Sequence, residues 1–161
     1  MFDKNLLGNN ISDIDKNLLA QTISKIDLFF AKFGVSIDYD NSKELFERLK
    51  VEEVKGEQNY VVSYDETSNT IKQNFENPDF SPKKYEAELV ESLLSVLSQK
   101  FNFEEDRYDK GLKSKDTNLE SHGTALNKMI KSYIATLITG YNKEESVKDF
   151  YLDSPNDYET I

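Results

Sequence analysis

The chain has no cysteine and no tryptophan, one histidine, 3 prolines and 6 glycines among 161 residues. Without thiols there are no disulfides, thiolate metal sites or cysteine nucleophiles, which is compatible with a reducing compartment. With His122 as the sole imidazole, no pair of histidines can grip a metal and no spare ring is left to serve as a nucleophile's base. His122 stands beside Gly123, where it reads as a loop or capping residue. The glycines lie too far apart to form a phosphate-cradling loop. No stretch approaches the roughly 20 apolar residues of a membrane span, and residues 1–11 lack a basic segment followed by an apolar run. A cytoplasmic location with no membrane contact is therefore the default expectation. Basic residues are also in short supply, 20 Lys and Arg against 30 Asp and Glu, for a net charge of −10. That balance opposes direct nucleic-acid binding, which depends on cations displacing counterions. It suits a protein partner with a basic surface, solubility alone being the plainer use.

The chain does contain enough apolar surface to fold. Hydrophobic residues make up 37% and aromatics 12%, and the length fits one domain over residues 1–161. Ser12 reads as an N-cap, followed by Ile14, Leu18, Leu19, Ile23, Ile26, Phe30 and Phe33 at helical spacing up to Gly34. Asn41 with Glu44 resembles a capping pair for a short second helix ending near Lys50, and residues 52–59 read as a polar connection. Residues 60–64 and 70–75, joined by the turn-forming Asp65 to Asn69, predict a β-hairpin. Ser81 and Pro82 open a third helix reaching about Phe101. Residues 102–123 read as a long charged loop. A buried fourth helix is predicted from about Thr124 to Thr139, closed by Gly140. A short helix over Lys143 to Leu152, with Val147, Phe150 and Tyr151, then precedes an acidic tail at 153–161. The expected fold is α+β and mostly helical, with a small antiparallel sheet packed on a core of two helices.

The order of hairpin, helix, long loop and helix brings two motifs into view. The third helix carries Glu91-Ser92-Leu93-Leu94-Ser95-Val96-Leu97-Ser98 and the fourth Gly123-Thr124-Ala125-Leu126-Asn127-Lys128. Over residues 60–140 this resembles the core of zinc-dependent metallopeptidases of the gluzincin kind, whose first helix bears His-Glu-x-x-His and whose later helix adds a carboxylate. The resemblance implies a minimal zincin-like fold with its chemistry removed. Glu91 and Ser95 stand at the two histidine positions and Ser92 at that of the general base. Lys128 and Ser132 fall where the later helix has carboxylates. A hydroxyl cannot activate water as a carboxylate does, and a lysine repels a cation. No zinc, no other cofactor and no peptidase activity are expected. The apolar letters Leu93, Leu94, Leu126, Tyr133 and Ile134 also occur in ordinary buried helices.

The expectation is a non-catalytic protein-binding module, a pseudo-enzyme in which Glu88, Glu91, Ser92, Ser95, Lys128 and Ser132 line a degenerate cleft or meet a partner. The alternative is an acidic phage-type inhibitor that mimics nucleic acid and occupies the basic channel of a host defence enzyme such as a CRISPR nuclease. A connected stripe of carboxylates would distinguish it. A metal-dependent hydrolase built on Glu88 and Glu91 ranks third.

Overall fold

The computed structural model describes residues 2–56, 58–102, 107–109 and 120–141; for residues 41, 100–102, 107–109 and 120–128 it describes the backbone alone. Helix α1, Asp13–Ala31, starts where the Ser12 hydroxyl accepts the Asp15 N–H at 3.2 Å, with Asp13 and Asp15 complementing the dipole of the first turn. It buries Leu19, Ile23 and Ile26 on one face and ends ahead of Gly34, whose φ of 72° reverses the chain. Ile14 and Phe33, at the two ends of the helical apolar spacing, are exposed. Ile14 sits in the first turn and Phe33 lies beyond the last, so neither faces the core. The short α2, Lys43–Arg48, buries Leu45 and Phe46. Its expected cap at Asn41 is displaced by a 3₁₀ turn, Tyr39–Ser42, whose own cap is Asp38 accepting from the Asp40 N–H.

Strands β1 (Lys50–Glu53), β2 (Val62–Asp65) and β3 (Thr70–Gln73) form a sheet in the order β1-β3-β2. The predicted antiparallel hairpin is present, with Tyr64 opposite Ile71. Strand β1 pairs parallel to β3, Val51 opposite Ile71, so part of the stretch read as a polar connection is a strand. The hairpin turn is organised by Asp65, whose carboxylate accepts the Thr67 N–H and the Ser68 hydroxyl and pairs with Lys72 at 3.4 Å. Those bonds, the Ser68 hydroxyl foremost, hold its carboxyl below the usual range. The segment before β2 is tied down by two buried asparagines. Asn74 donates to the Gly56 carbonyl, and Asn77 to those of Gln58 and Tyr60.

Helix α3, Pro82–Leu97, has the predicted start: the Ser81 hydroxyl accepts the Lys84 N–H at 3.1 Å, and Pro82 occupies the first turn. It contacts α1, β2 and α4 (Glu120–Thr139). Between them, residues 102–123 depart from the expected single loop. Lys100–Asn102 (β4) pairs antiparallel with Arg107–Asp109 (β5), and α4 already includes Glu120 to Gly123. The backbone at His122 is thus helical, whereas the expected helix over Lys143 to Leu152 and the acidic tail lie outside the described residues. The core joins Leu19, Ile23 and Ile26 of α1 with Leu45, Phe46, Ile71, Leu89, Leu93 and Val96. Phe2 adds a ring 5.1 Å from both Tyr39 and Phe46.

Two tyrosines make the fold sensitive to alkali. Burial lifts the Tyr39 hydroxyl far above the ordinary tyrosine value, and the Asp27 carboxylate reinforces the rise. Among the described residues neither the Tyr39 hydroxyl nor Asp27 Oδ2 has a hydrogen bond of normal geometry, so desolvation outweighs bonding here. Burial, then the charge of Asp15, pushes Tyr85 up to about 12. Above pH 10, the ordinary tyrosine value, the unfolded chain releases protons that the fold retains. Stability therefore falls as pH rises from 10 towards 12. Urea midpoints measured from pH 8 upward should show this decline, and Tyr39→Phe should flatten it; equal slopes for the two proteins would contradict the assignment.

Candidate functional site

The serines and glutamates of the motif lie on α3, which contacts α4. The two helices run antiparallel: Lys83 Nζ, in the first turn of α3, donates to the Thr139 carbonyl at the end of α4 at 3.1 Å, and Lys131 Nζ donates to Ser95 Oγ at 3.4 Å. Lys83 thereby supplies a cation to carbonyls that no further turn satisfies.

The motif residues divide by what they touch. Glu88 turns away from the seam towards the sheet, where its Oε2 accepts the Val61 and Val62 N–H groups at 3.0 and 3.1 Å. Ser92 is only 4% exposed and its hydroxyl donates to the Glu88 carbonyl at 2.8 Å. It therefore cannot contact a partner, which corrects the expectation drawn from the motif. Glu91, Ser95 and Ser132 are half-buried, and Ser95 meets α4 through Lys131. The Ser95 hydroxyl donates to the Glu91 carbonyl at 3.0 Å, and the Ser132 carbonyl accepts from Thr136 Oγ1 at 3.0 Å. Lys128 belongs to α4, but its side chain lies outside the described residues. The lysine that reaches α3 in the structure is Lys131, close to one turn beyond Lys128, through Ser95. Motif positions pointed to Lys128 alone, although helical spacing puts residues three apart on one face.

A second polar chain, absent from the sequence reading, closes the other side of α3. Gln99 Nε2 donates to the Tyr64 hydroxyl at 3.0 Å, Tyr64 donates to Asn69 Oδ1 at 2.6 Å, and Asn69 Nδ2 donates to the Leu45 carbonyl at 2.9 Å. Asn69 holds φ at 50°, a left-handed conformation that asparagine tolerates better than most residues. The chain joins Gln99, just past the end of α3, with the hairpin and α2. Its only sequence signal was Asn69 as a turn residue. Serines that donate to a carbonyl one turn back are not offering a proton to a base. Among the described residues no group of three or more Asp, Glu, His or Cys side chains is placed to hold a metal ion. No described helix is long and apolar enough to cross a membrane.

Apolar surface is left outside on two helices. At the end of α1, Leu28 is 67% and Phe33 68% exposed, with Val35 half-exposed beside them. The Phe29 ring stacks edge-on with Phe30 and Phe33 at 5.5 and 5.3 Å. Along α4, Met129, Ile130, Tyr133 and Leu137 are exposed, while Ala135 is buried and Ile134 and Ile138 pack on the core. Over its described side chains, residues 129–139, the helix expected to be buried leaves much of its apolar surface exposed. No family model, curated protein or solved structure matches the chain.

Proposed function

We propose that the chain is a non-catalytic protein-binding module that docks through the aromatic end of α1. The observation that carries this reading is the exposure of Leu28, Phe33 and Val35 near the end of α1, with the half-buried Phe29 ring edge-on to Phe33. Contiguous apolar surface rimmed by polar residues marks an interaction site, and aromatic side chains dominate the energy of such contacts. The net charge of −10 gives the partner its sign: a protein with an apolar centre and a basic rim, attracted over a distance set by ionic strength. Glu88, Ser92 and Ser95 support the non-catalytic half, because their polar atoms are occupied with backbone groups. The proposed setting is cytoplasmic and without direct nucleic-acid contact. The descent from a metallopeptidase scaffold rests on the two helix motifs.

The test is binding by the full chain and by Phe33→Asp to the protein that the wild type captures from its own cells, once that protein is purified. Phe33 lies outside the core, so the unfolding midpoint should stay within experimental error. Affinity should fall at least about tenfold, the loss of a minor hot spot, and association should slow as salt rises. Equal affinity for the two chains would sink the reading.

A further inference from the structure

The two edges of the three-stranded sheet differ in how their backbone groups are satisfied. Along β2 the Val61 and Val62 N–H groups bond Glu88, and α3 contacts the strand. The other edge is β1, with Lys50, Glu52 and Glu53 exposed and Val51 half-buried. Its ladder to β3 is framed by the Lys50 N–H on the Asn69 carbonyl at 3.1 Å and the Val54 N–H on that of Gln73 at 2.8 Å. In a parallel strand both backbone groups of alternate residues point to the same neighbour. Lys50, Glu52 and Val54 therefore face β3, and the N–H and C=O groups of Val51 and Glu53 face outward. Among the described residues no hydrogen bond reaches those outward groups, and Lys50, Glu52 and Glu53 form no ion pair. We propose that β1 is a self-association edge, on which β1 of a second copy of this chain pairs antiparallel about a two-fold axis beside Val51. The pairing uses no residue of the α1 docking site and does not depend on that reading.

Charge and register choose the occupant. A two-fold axis perpendicular to the sheet makes an edge meet itself in antiparallel sense. Because the outward groups belong to alternate residues, the possible registers differ by a slide of two. With Val51 opposite the partner's Val51, the two residues exchange both backbone bonds, and Lys50 of each copy falls opposite the partner's Glu52. These are the positions between hydrogen-bonded pairs, where Cα atoms come within about 4.5 Å and side chains meet most closely. Sliding the partner by two residues sets Lys50 against Lys50 in one direction and Glu52 against Glu52 in the other, and like charges directly opposite repel. Of these registers only the first joins unlike charges, and it does so twice. A different partner strand would need an acid opposite Lys50 and a base opposite Glu52, which a second copy already carries. The net charge of −10 on each copy opposes approach, so the pairing is weak and is measured at high protein concentration in physiological salt.

Sedimentation velocity on the full chain over a concentration series should show a reversible equilibrium of monomer and dimer. Lys50→Glu and Glu52→Lys, each alone, place like charges at both contacts and should weaken the dimer about tenfold or more. Mixed in equal amounts, the two variants should associate as the wild type does, because every contact then joins opposite charges. The double variant should likewise pair with itself. Amide exchange of the unaltered chain gives a readout that needs no substitution: the Val51 N–H should exchange more slowly as concentration rises, while the Glu52 N–H, turned to β3, is protected throughout. Three results would overturn the proposal: a chain that is monomeric at every concentration, a dimer indifferent to both charge reversals, as when copies meet through α4 or α1, or a mixture no tighter than its components. None of these would affect binding at Phe33.

Discussion

Glu88→Ala should unfold the protein at a much lower denaturant concentration than wild type, losing roughly 2–6 kcal/mol. The size follows from two backbone donors. Glu88 Oε2 is the acceptor for the N–H groups of Val61 and Val62, residues that are themselves buried at the start of β2. An alanine leaves both donors in a place water reaches poorly, and each unsatisfied group costs about 1–3 kcal/mol. Against a total stability of about 5–15 kcal/mol this is a large fraction. Glu88→Gln separates geometry from charge, because the amide retains a carbonyl oxygen at the same reach but not the negative charge that strengthens both bonds. It should lose about half as much. The experiment is urea denaturation followed by circular dichroism, comparing midpoints at constant slope. A Glu88→Ala midpoint within error of wild type would show that the carboxylate does not clamp the strand, and would restore Glu88 as a side chain free for chemistry.

The same residue shows where sequence reasoning stops. From spacing alone Glu88 belongs to the polar face of α3, beside Lys84, Glu91 and Ser95, and a polar helix position gives no indication of what lies opposite. Its role is set by β2 running past that face, a contact between residues 26 and 27 positions apart. What was legible was local. The Ser12 cap, the Ser81 cap with Pro82 and the left-handed Gly34 and Gly140 depend on chemistry within a few residues, and each is present. The hairpin was legible because its β-forming runs flank the turn residues Asp65 to Asn69. Strand β1 was not: Lys-Val-Glu-Glu has a single apolar residue, and its parallel partner lies beyond the whole of β2. Parallel pairing requires a long connection that no short-range pattern announces. The breadth of burial on α4 was hidden for another reason. Apolar letters on more than one face look alike whether a neighbour covers them or not, and only the position of α3 separates Ala135 from Tyr133. Of the motif residues, Glu91 and Ser95 belong to α3 and Ser132 to α4, helices that contact each other. Sequence reasoning misread Ser92, since a buried serine bonded to its own helix has the same letter as an exposed one.

Gly8→Ala carries the other large expected effect, and nothing in the sequence pattern singles that glycine out. Gly8 follows the buried Leu7 and precedes the buried Ile11, which anchor the N-terminal segment in the core with Phe2. Between those anchors its backbone passes so close to the end of α2 that an added Cβ would lie 2.0 Å from the Glu47 carbonyl oxygen and 3.1 Å from its carbon. Ordinary contact needs well over a further ångström. The obstructing atoms are backbone within a helix, so no side chain can rotate away to make room. Either α2 moves, disturbing Leu45 and Phe46 at the core, or residues 2–11 lift off it and expose Phe2, Leu7 and Ile11. Overpacking of this kind costs about 1–3 kcal/mol, and more where backbone must shift. The slight gain an alanine brings by restricting the unfolded chain, about 0.4–1 kcal/mol, is too small to offset it. Gly34→Ala makes an informative comparison: its Cβ would meet nothing within 4 Å, so its cost comes only from the φ of +72°, about 1 kcal/mol. The Gly8 variant should therefore show the larger fall in urea midpoint. It should also show faster amide exchange in residues 2–11 and 43–48, with α3 keeping its protection below the global unfolding limit. A Gly8→Ala protein as stable as wild type would mean that the N-terminal segment does not lie against α2 at Glu47.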